Sequence, residues 1–207
     1  MKLEWKTSNL PIEYPQAISF MEERVENIHH NKTPELIWLL EHPSIYTAGS
    51  SASDSDLLNH SKFPIYPSGR GGKYTYHGPG QRIIYLMLNL KSRGADLRKY
   101  VANLEDWIIA SLAEIGLTSE RKQGRVGIWT KSKLGEEVKI AAIGIRVRKW
   151  ITYHGIAINV FPNLEHYNGI IACGIKEFGV TSLQELGYNI AYAELDDILK
   201  RKFSDFF

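Results

Sequence analysis

The most unusual stretch of the sequence is a glycine-rich segment, Ser68 to Gln81, which reads SGRGGKYTYHGPGQ. Glycine lets a backbone approach a ligand closely and adopt positive φ, while Arg70 supplies a fixed fork of donors and His77 a titratable ring. It is not a Walker A loop or a G-x-G-x-x-G motif, because Tyr74 stands where each pattern needs another residue. We predict a ligand-binding loop, with a glycine-rich hairpin around a satisfied histidine as the alternative.

Two reactive side chains stand in apolar surroundings further along the chain. Lys139 begins the run KIAAIGIRV, where it is either a strand-end residue that reaches water or a buried, mobile proton donor. Cys173, the only cysteine, lies in IIACGI and is either a small core residue or a nucleophile. Between them, the small residues of HGIAINV (154–160) either leave space above a sheet or mark a crowded crossing point.

Composition narrows the class of protein. With a single cysteine among 207 residues, an intramolecular disulfide, a Cys-rich zinc site and an iron–sulfur cluster are excluded. Apolar residues at 43% and charged residues at 23% are typical of a globular protein, and a net charge of +2 is too balanced for a nucleic-acid footprint. No apolar run approaches the roughly 20 residues of a membrane helix, and the first residues have no apolar h-region, so we expect no secretory signal. We expect a cytoplasmic protein.

Hydrophobic periodicity predicts four helices that must position these residues. One follows Pro15 and ends near residues 29–31, since apolar residues recur there at three- and four-residue steps. A second is capped by Asp96 and closed by Gly116. Thr181 with Gln184 resembles the capping box of a short helix. The last helix is predicted over Ala191–Lys202.

Strands account for most of the remaining chain. A polar surface loop is expected over Ser50–Lys62, and a hairpin turn at Arg146–Lys149. Because strands and helices do not alternate regularly, we predict an α+β fold with a mixed, largely antiparallel sheet flanked by helices, as one domain over residues 1–207. The predicted strands are Leu36–Leu40, Ile45–Ala48, glycine-broken pieces of Ile65–His77, Arg82–Leu90, Arg125–Thr130, Glu137–Val147 and Trp150–Val160.

Four ordered segments of the sequence resemble the lipoyl(octanoyl) transferase family, which shares its fold with the lipoate and biotin protein ligases. The resemblance runs from His42-Pro43 to Leu186. Ala172 departs from the family, which usually has proline before the cysteine, and Ala142-Ile143 replaces a pair that usually contains serine. The resemblance implies a biotin/lipoate protein ligase-like catalytic domain. The segments are RGGKYTYHGPGQ (70–81), KIAAIG (139–144), HGIAINV (154–160) and ACGI (172–175).

The resemblance also implies an activity and a site. The family transfers an octanoyl group from octanoyl-acyl carrier protein to a lysine of lipoyl domains, in 2-oxo acid dehydrogenases and the glycine cleavage H protein, with no cofactor or metal. Cys173 would carry the acyl thioester, and Lys139 would act with it. The implied acyl-binding residues are Arg70, Gly71, Gly72, Lys73, Tyr74, Thr75, Tyr76, His77, Ala142, Ile143, Gly144, Gly155, Ile156 and Ala157.

Elementary chemistry agrees with this implied reaction. Exchange between thioesters is near isoenergetic and amide formation from a thioester is downhill, so no ATP is needed. A thiol is mostly protonated at neutral pH, and we expect the Lys139 ammonium to stabilise the Cys173 thiolate. Backbone N–H groups, or His77 as a donor, could bind the thioester oxygen. Surface cations could steer acidic partner domains; these are Lys73, Arg146, Arg148 and Lys149.

Three other functions stay open from the sequence. An ATP-dependent lipoate ligase would activate the free acid and need no cysteine nucleophile. A non-catalytic acyl-binding module would leave Cys173 merely packed. A Cys–His hydrolase would use His77 or His154 as its base.

Overall fold

The computed structural model describes residues 2–60, 62–171 and 178–207. Its larger sheet has the order β1 (Leu3–Thr7), β2 (Glu35–Leu40), β6 (Gln81–Met87), β10 (Ile151–Asn159), β9 (Glu137–Arg148), β8 (Arg125–Lys131) and β7 (Glu120–Lys122), with β11 (Gly179–Val180) paired to β9. Strands β1 and β2 are parallel, as are β9 and β11, and the other neighbours are antiparallel. The predicted α+β class with a mixed, largely antiparallel sheet is confirmed.

A smaller sheet carries part of the glycine-rich segment. Its order is β4 (Ile65–Pro67), β3 (Ile45–Ala48) and β5 (Tyr74–His77), with β3 parallel to β4 and antiparallel to β5. The segment 68–81 therefore starts just after β4, passes through β5 and ends where β6 begins. This path links the two sheets.

Helices cover both faces of the larger sheet. Helix α1 (Tyr14–His29) packs on one face, and α2 (Leu97–Glu114) and α4 (Tyr192–Phe203) pack on the other. Successive side chains of a strand point to opposite faces, so Tyr85 of β6 packs with the α1 cluster and Leu86 with the α2 cluster. Within the described residues, no helix combines the length and apolar character needed to cross a membrane.

Helix α2 begins and ends as its sequence signals predict, whereas α1 begins at Tyr14, before Pro15, and α4 lies one residue later than predicted. The Asp96 side chain accepts a hydrogen bond from the Lys99 N–H at 3.0 Å, and Gly116 follows the helix with φ at +86°. The short helix α3 (Leu183–Leu186) is different: Ser182, not Thr181, caps it, by accepting from the Glu185 N–H. The predicted capping box was therefore wrong by one residue.

Several predicted bounds are corrected by local backbone geometry. The β9–β10 hairpin turns at Lys149-Trp150, where both residues have positive φ, rather than at Arg146–Lys149. Such a two-residue turn lets the strand continue to Arg148. Strand β6 ends at Met87, short of the predicted Leu90, and a 3₁₀ turn follows. Strands β1 and β7 were not predicted: β1 alternates apolar and polar residues over only five positions, and β7 consists of three charged residues.

The predicted surface loop, residues 50–62, is partly buried. Asp56 and Leu57 are both less than 10% exposed. The Asp56 carboxylate lies 3.1 Å from the Lys73 ammonium, and Leu57 packs in an aromatic cluster with Tyr46 and Tyr76. An ion pair and an apolar contact thus hold a polar stretch against the smaller sheet.

Candidate active site

A cavity of about 290 Å³ lies among residues of both sheets and the start of α1. Strands β6, β9 and β10 form one part of its lining, and residues 70–77 form another. All the predicted acyl-binding residues except Tyr74 and Tyr76 line it, together with Lys139. The tertiary fold therefore brings three of the four sequence segments to one place.

Small residues of β9 and β10 lie opposite each other in this lining. Ala142 pairs with Ala157, and Gly144 pairs with Gly155. A Cβ on Gly155 would lie 1.9 Å from the Ile84 carbonyl oxygen, and one on Gly144 would lie 2.8 Å from Arg70 Cδ. These glycines are needed because neighbouring backbone and the Arg70 side chain pass directly over them.

Arg70 holds the glycine-rich loop to the smaller sheet. Its guanidinium donates to the carbonyl and hydroxyl oxygens of Thr47 at 2.9 and 2.7 Å, and to the carbonyl oxygens of Gly71 and Lys73 at 2.9 and 3.0 Å. The loop also contacts β9, where the Gly71 N–H donates to the Ile145 carbonyl at 3.1 Å. The fork of donors that the sequence places at Arg70 thus binds protein carbonyls.

The side chains of β5 alternate between the cavity and a separate cluster. Thr75 and His77 line the cavity, whereas Tyr74 and Tyr76 pack in the aromatic cluster with Tyr46. The two-residue period of a strand requires this division. Tyr74 and Tyr76 therefore support the wall from behind.

Lys139 is buried in the cavity wall, with only 7% of its surface exposed. Its ammonium donates to the Val126 carbonyl at 3.0 Å and lies 4.7 Å from the centre of the Trp129 ring. The sequence left two alternatives open for Lys139, a strand-end residue that reaches water and a buried proton donor. The burial of its side chain supports the second. A carbonyl and an aromatic face stabilise its charge without neutralising it.

Comparison with known proteins identifies the family to which this chain belongs. The model of the lipoyl protein ligase A/B catalytic domain matches residues 13–204. An octanoyltransferase from Paramagnetospirillum magneticum is 55% identical over 205 residues, covering 99% of this chain and 97% of its own. The chain belongs to the lipoyl protein ligase A/B catalytic domain family. The family indicated by the four sequence segments is confirmed.

Solved structures of other proteins share the fold of this chain. A lipoate-protein ligase A bound with ATP superposes with a TM-score of 0.70 at 15% identity, covering 98% of this chain and 85% of the ligase. A biotin protein ligase from Aquifex aeolicus, in complex with biotin and ATP, gives 0.57 at 15% identity, covering 98% and 68%. At such identities the likeness concerns the fold alone, and the predicted ligase-like domain is confirmed.

The His77 side chain is buried, and its imidazole ring is neutral. Burial lowers its pKa well below the usual range, and nearby His42 and Arg70 lower it further. Its Nδ1 lies 3.1 Å from Gln81 Oε1, while Gln81 Nε2 donates to other acceptors, so Nδ1 must carry the proton. Its Nε2 is then an acceptor, which argues against our expectation that His77 donates to a thioester oxygen. Of the two donors that the sequence offered, backbone N–H groups are the one that stays a prediction.

Two further histidines and two tyrosines stand around His77. The Nδ1 of His42 donates to the Ile12 carbonyl at 2.5 Å, so its Nε2 accepts from the Tyr85 hydroxyl at 2.6 Å. Burial lowers the pKa of His42 to about 4 and that of His154 to about 3. His154 lines the cavity in a strained left-handed conformation, with φ at +60°. The second tyrosine, Tyr14 of α1, also lines the cavity.

Part of this lining was not predicted, because its members come from segments that lie far apart in the sequence. Two signals were available: alternation along the predicted strand 82–90 places Ile83 and Tyr85 on the same face, and His154 opens the segment HGIAINV. Among the described residues, no three metal-ligating side chains lie together. The lining residues absent from the predicted site are Tyr14, Ile83, Tyr85, Gly124, Arg125, Val126 and His154.

Cys173 and Ala172 lie outside the described residues, but the chain on both sides of them is tied to this region. The Ile171 N–H donates to the Asp56 carbonyl at 2.7 Å. On the other side, the Phe178 ring packs edge-on against Trp129, with centroids 5.5 Å apart. Trp129 also contacts Lys139, as described above, so both flanks contact neighbours of cavity residues.

Most of the predicted steering cations are already paired. Lys149 lies 2.8 Å and Arg148 3.9 Å from the Glu26 carboxylate, and Lys73 is paired with Asp56. Arg146 is exposed, and in the described part of the chain it has no acidic partner. The set thus offers less free positive charge than the sequence indicated.

Proposed function

We propose that this chain is an acyltransferase that moves an octanoyl group from acyl carrier protein to a lysine of lipoyl domains, through a thioester on Cys173. The observation that carries this proposal is the buried Lys139 ammonium in the wall of a cavity built from small and apolar residues. A relative named octanoyltransferase at 55% identity over nearly the whole chain supports the same activity.

The cavity is large enough for the acyl group. An apolar cavity of about 150 Å³ holds a six-carbon ring, and this cavity is almost twice as large, at about 290 Å³. Ile83, Ala142 and Ala157 give it apolar surface. At about 0.8 kcal/mol for each buried CH₂ group, an eight-carbon chain would gain several kcal/mol by entering it.

In the first step, the Cys173 thiolate attacks the carbonyl carbon of the octanoyl thioester on the carrier. A C–S bond to Cys173 Sγ forms, the C–S bond to the carrier thiol breaks, and Lys139 protonates the leaving thiolate. In the second step, the acceptor amine attacks the new thioester. A C–N bond forms, the bond to Sγ breaks, and the amine proton returns to Lys139.

The surroundings of the site support these roles. An ammonium near a thiol favours the thiolate, and the described chain on both sides of Cys173 contacts neighbours of the cavity. The thioester donor already contains the activation that a ligase obtains from ATP. A single cysteine, with no disulfide partner in the chain, fits a reducing compartment, which supports a cytoplasmic location. We further propose that the acceptors are the lipoyl domains of 2-oxo acid dehydrogenases and the glycine cleavage H protein.

The proposal is tested by incubating the protein with octanoyl-carrier protein and weighing it intact. We expect one octanoyl adduct that hydroxylamine removes, and transfer of this group to an added lipoyl domain. Cys173→Ala should abolish both, and Lys139→Ala should slow them by about 10²–10⁴-fold, whereas Lys139→Arg keeps the charge as a control. Acylation by Cys173→Ala, transfer only with ATP and free octanoate, or release of free octanoate as the main product would contradict the proposal.

A further inference from the structure

Lys139 and a second buried charge, Glu105 of α2, contact the two sides of one peptide bond. Both residues are 7% exposed. The Lys139 ammonium donates to the Val126 carbonyl at 3.0 Å, and the Gly127 N–H donates to Glu105 Oε1 at 3.0 Å. This carbonyl and this N–H belong to the same peptide unit. A single peptide therefore stands between the carboxylate and the ammonium.

The orientation of this peptide favours both charges. In a trans peptide the N–H and C=O point in opposite directions, and the unit carries a dipole of about 3.5 D. The carboxylate faces the positive N–H end, and the ammonium faces the negative C=O end. Hydrogen bonds polarise one another in a buried chain, so a charge on Glu105 strengthens the Val126 carbonyl as an acceptor for Lys139.

Local backbone geometry makes this arrangement possible. Gly127 has φ at +120°, and a Cβ there would lie 2.7 Å from the Ala141 carbonyl oxygen and 3.3 Å from the Lys139 ammonium nitrogen. The pairing of β8 with β9 shifts register between Ile128 and Trp129, immediately after this glycine. Bulges of this kind re-aim the groups of a strand, and this one lies next to the Val126–Gly127 peptide that meets Glu105 and Lys139.

We propose that Glu105 is a positioning residue for Lys139, which it holds charged and in the cavity wall through the Val126–Gly127 peptide. The placement of Lys139 stands on the described contacts alone, and its effect on acyl transfer rests on the proposed function. This assigns a role to a residue of α2 that does not itself line the cavity.

The other charges near this unit are weaker candidates for the same role. Arg121 of β7 and Asp106 of α2 act on Glu105 from the exposed side, where their own side chains pair at 3.4 Å. Arg125 shares the Trp129 ring with Lys139 but is paired with Glu137 of β9. Burial raises the pKa of Glu105, while the Gly127 N–H and the charges of Arg121 and Lys139 lower it.

The first test uses the full-length protein and does not require activity. Glu105→Gln keeps an oxygen for the Gly127 N–H and removes the charge, so Lys139 should lose part of the stabilisation of its ammonium form. We expect acetic anhydride at about pH 8 to modify Lys139 about threefold to tenfold faster, as measured by peptide mass mapping. Asp106→Asn is the matched control, because it neutralises the neighbouring, exposed carboxylate, and it should change the rate less than about twofold.

The second measurement tests how the loss of the Glu105 charge changes the acylation of Cys173. In Glu105→Gln, the alkaline limb of the pH profile for Cys173 acylation should move to lower pH, whereas Asp106→Asn should leave it in place. If Lys139 modification changes as expected but acyl transfer depends on neither Lys139 nor Glu105, the positioning is supported and the proposed use of Lys139 fails. Unchanged Lys139 modification in folded Glu105→Gln protein would overturn the positioning itself.

A third measurement covers the case in which Glu105→Gln does not fold. In Lys139→Ala, the amide proton of Gly127 should move upfield in the ¹H–¹⁵N NMR spectrum, because the peptide loses the cation that polarises it. Gly135, in the exposed turn between β8 and β9, supplies the control resonance. A Gly127 resonance that stays where it is in the unchanged protein would overturn the coupling.

Discussion

Most polar side chains that surround the cavity are held by other protein groups before any substrate arrives. Arg70 donates to carbonyl oxygens of its own loop and of Thr47, and His77 donates to Gln81. His42 lies behind Tyr85 with both ring nitrogens bonded. Groups fixed in this way need no reorganisation when charge develops in a reaction. At the scale of residues, the protein therefore holds the polar side chains of the site in fixed positions.

Buried neutral histidines make the fold sensitive to acid. Burial lowers the pKa of His42 to about 4 and that of His154 to about 3, whereas a histidine in the unfolded chain titrates near 6.5. Between these values the unfolded chain binds more protons. The free energy of unfolding should therefore fall as the pH falls from about 6.5 towards 4, by up to about 1.4 kcal/mol per pH unit for each histidine.

Urea unfolding at several pH values between 7 and 4 measures this slope. His42→Gln should make it shallower by about one proton, because the variant lacks the buried ring whose pKa the fold lowers. Equal slopes in the unchanged protein and in His42→Gln would show that His42 is not held neutral by the fold.

At the scale of elements, short strands and turns around β9 decide where Lys139 lies. Strand β11 pairs Val180 with Lys139, and the Thr181 N–H donates to the Lys139 carbonyl at 3.0 Å. Helix α3 follows at once, and its cap is the Ser182 hydroxyl. The start of α3 thus anchors the backbone on which Lys139 stands.

Ser182 and Thr181 form a matched pair for testing this anchor. Ser182→Ala removes the cap and should lower the free energy of unfolding by about 1 kcal/mol. Thr181→Val should be neutral or stabilising, because the buried Thr181 hydroxyl has no hydrogen-bond partner in the described part of the chain. Chemical denaturation of the two variants checks the difference. A larger loss in Thr181→Val than in Ser182→Ala would place the cap at Thr181 after all.

At the scale of the whole molecule, α4 is joined to the larger sheet by a buried ion pair. Arg82 of β6 and Asp196 of α4 lie 2.9 Å apart, and each side chain is 5% exposed. The Tyr192 hydroxyl of the same helix donates to Glu41, and this carboxylate accepts from the Gly80 N–H at 2.8 Å. Helix α4 thereby reaches the end of the glycine-rich segment from the far side of the sheet.

Removing one partner of this pair should cost more than removing both. Arg82→Met leaves Asp196 buried and unpaired, and the free energy of unfolding should fall by about 3–5 kcal/mol. The double variant Arg82→Met with Asp196→Leu should lose clearly less, because no uncompensated charge stays inside. Urea denaturation of both single variants and the double variant gives the coupling energy. A double variant as unstable as the sum of the single losses would rule out this coupling.

Elements with strong local signals were predictable, and those that depend on remote partners were not. Helix α2 carries its own start and stop at Asp96 and Gly116, so its bounds needed no tertiary information. Strand β7 exists because charged residues 120–122 pair with β8, which no local pattern indicates. The burial of Asp56 likewise depends on Lys73, seventeen positions away. The single domain over residues 1–207 stays a prediction.

The sequence by itself determined the family, the α+β class and the small residues that line the cavity. Side-chain size and spacing are local properties, so the small residues at 142, 144, 155 and 157 could be found without a structure. Only the tertiary structure decided that Lys139 is buried, that His77 is an acceptor at Nε2, and that Glu105 stands across one peptide from Lys139. These properties arise from burial and from contacts between residues far apart in the chain, which spacing along the sequence does not encode.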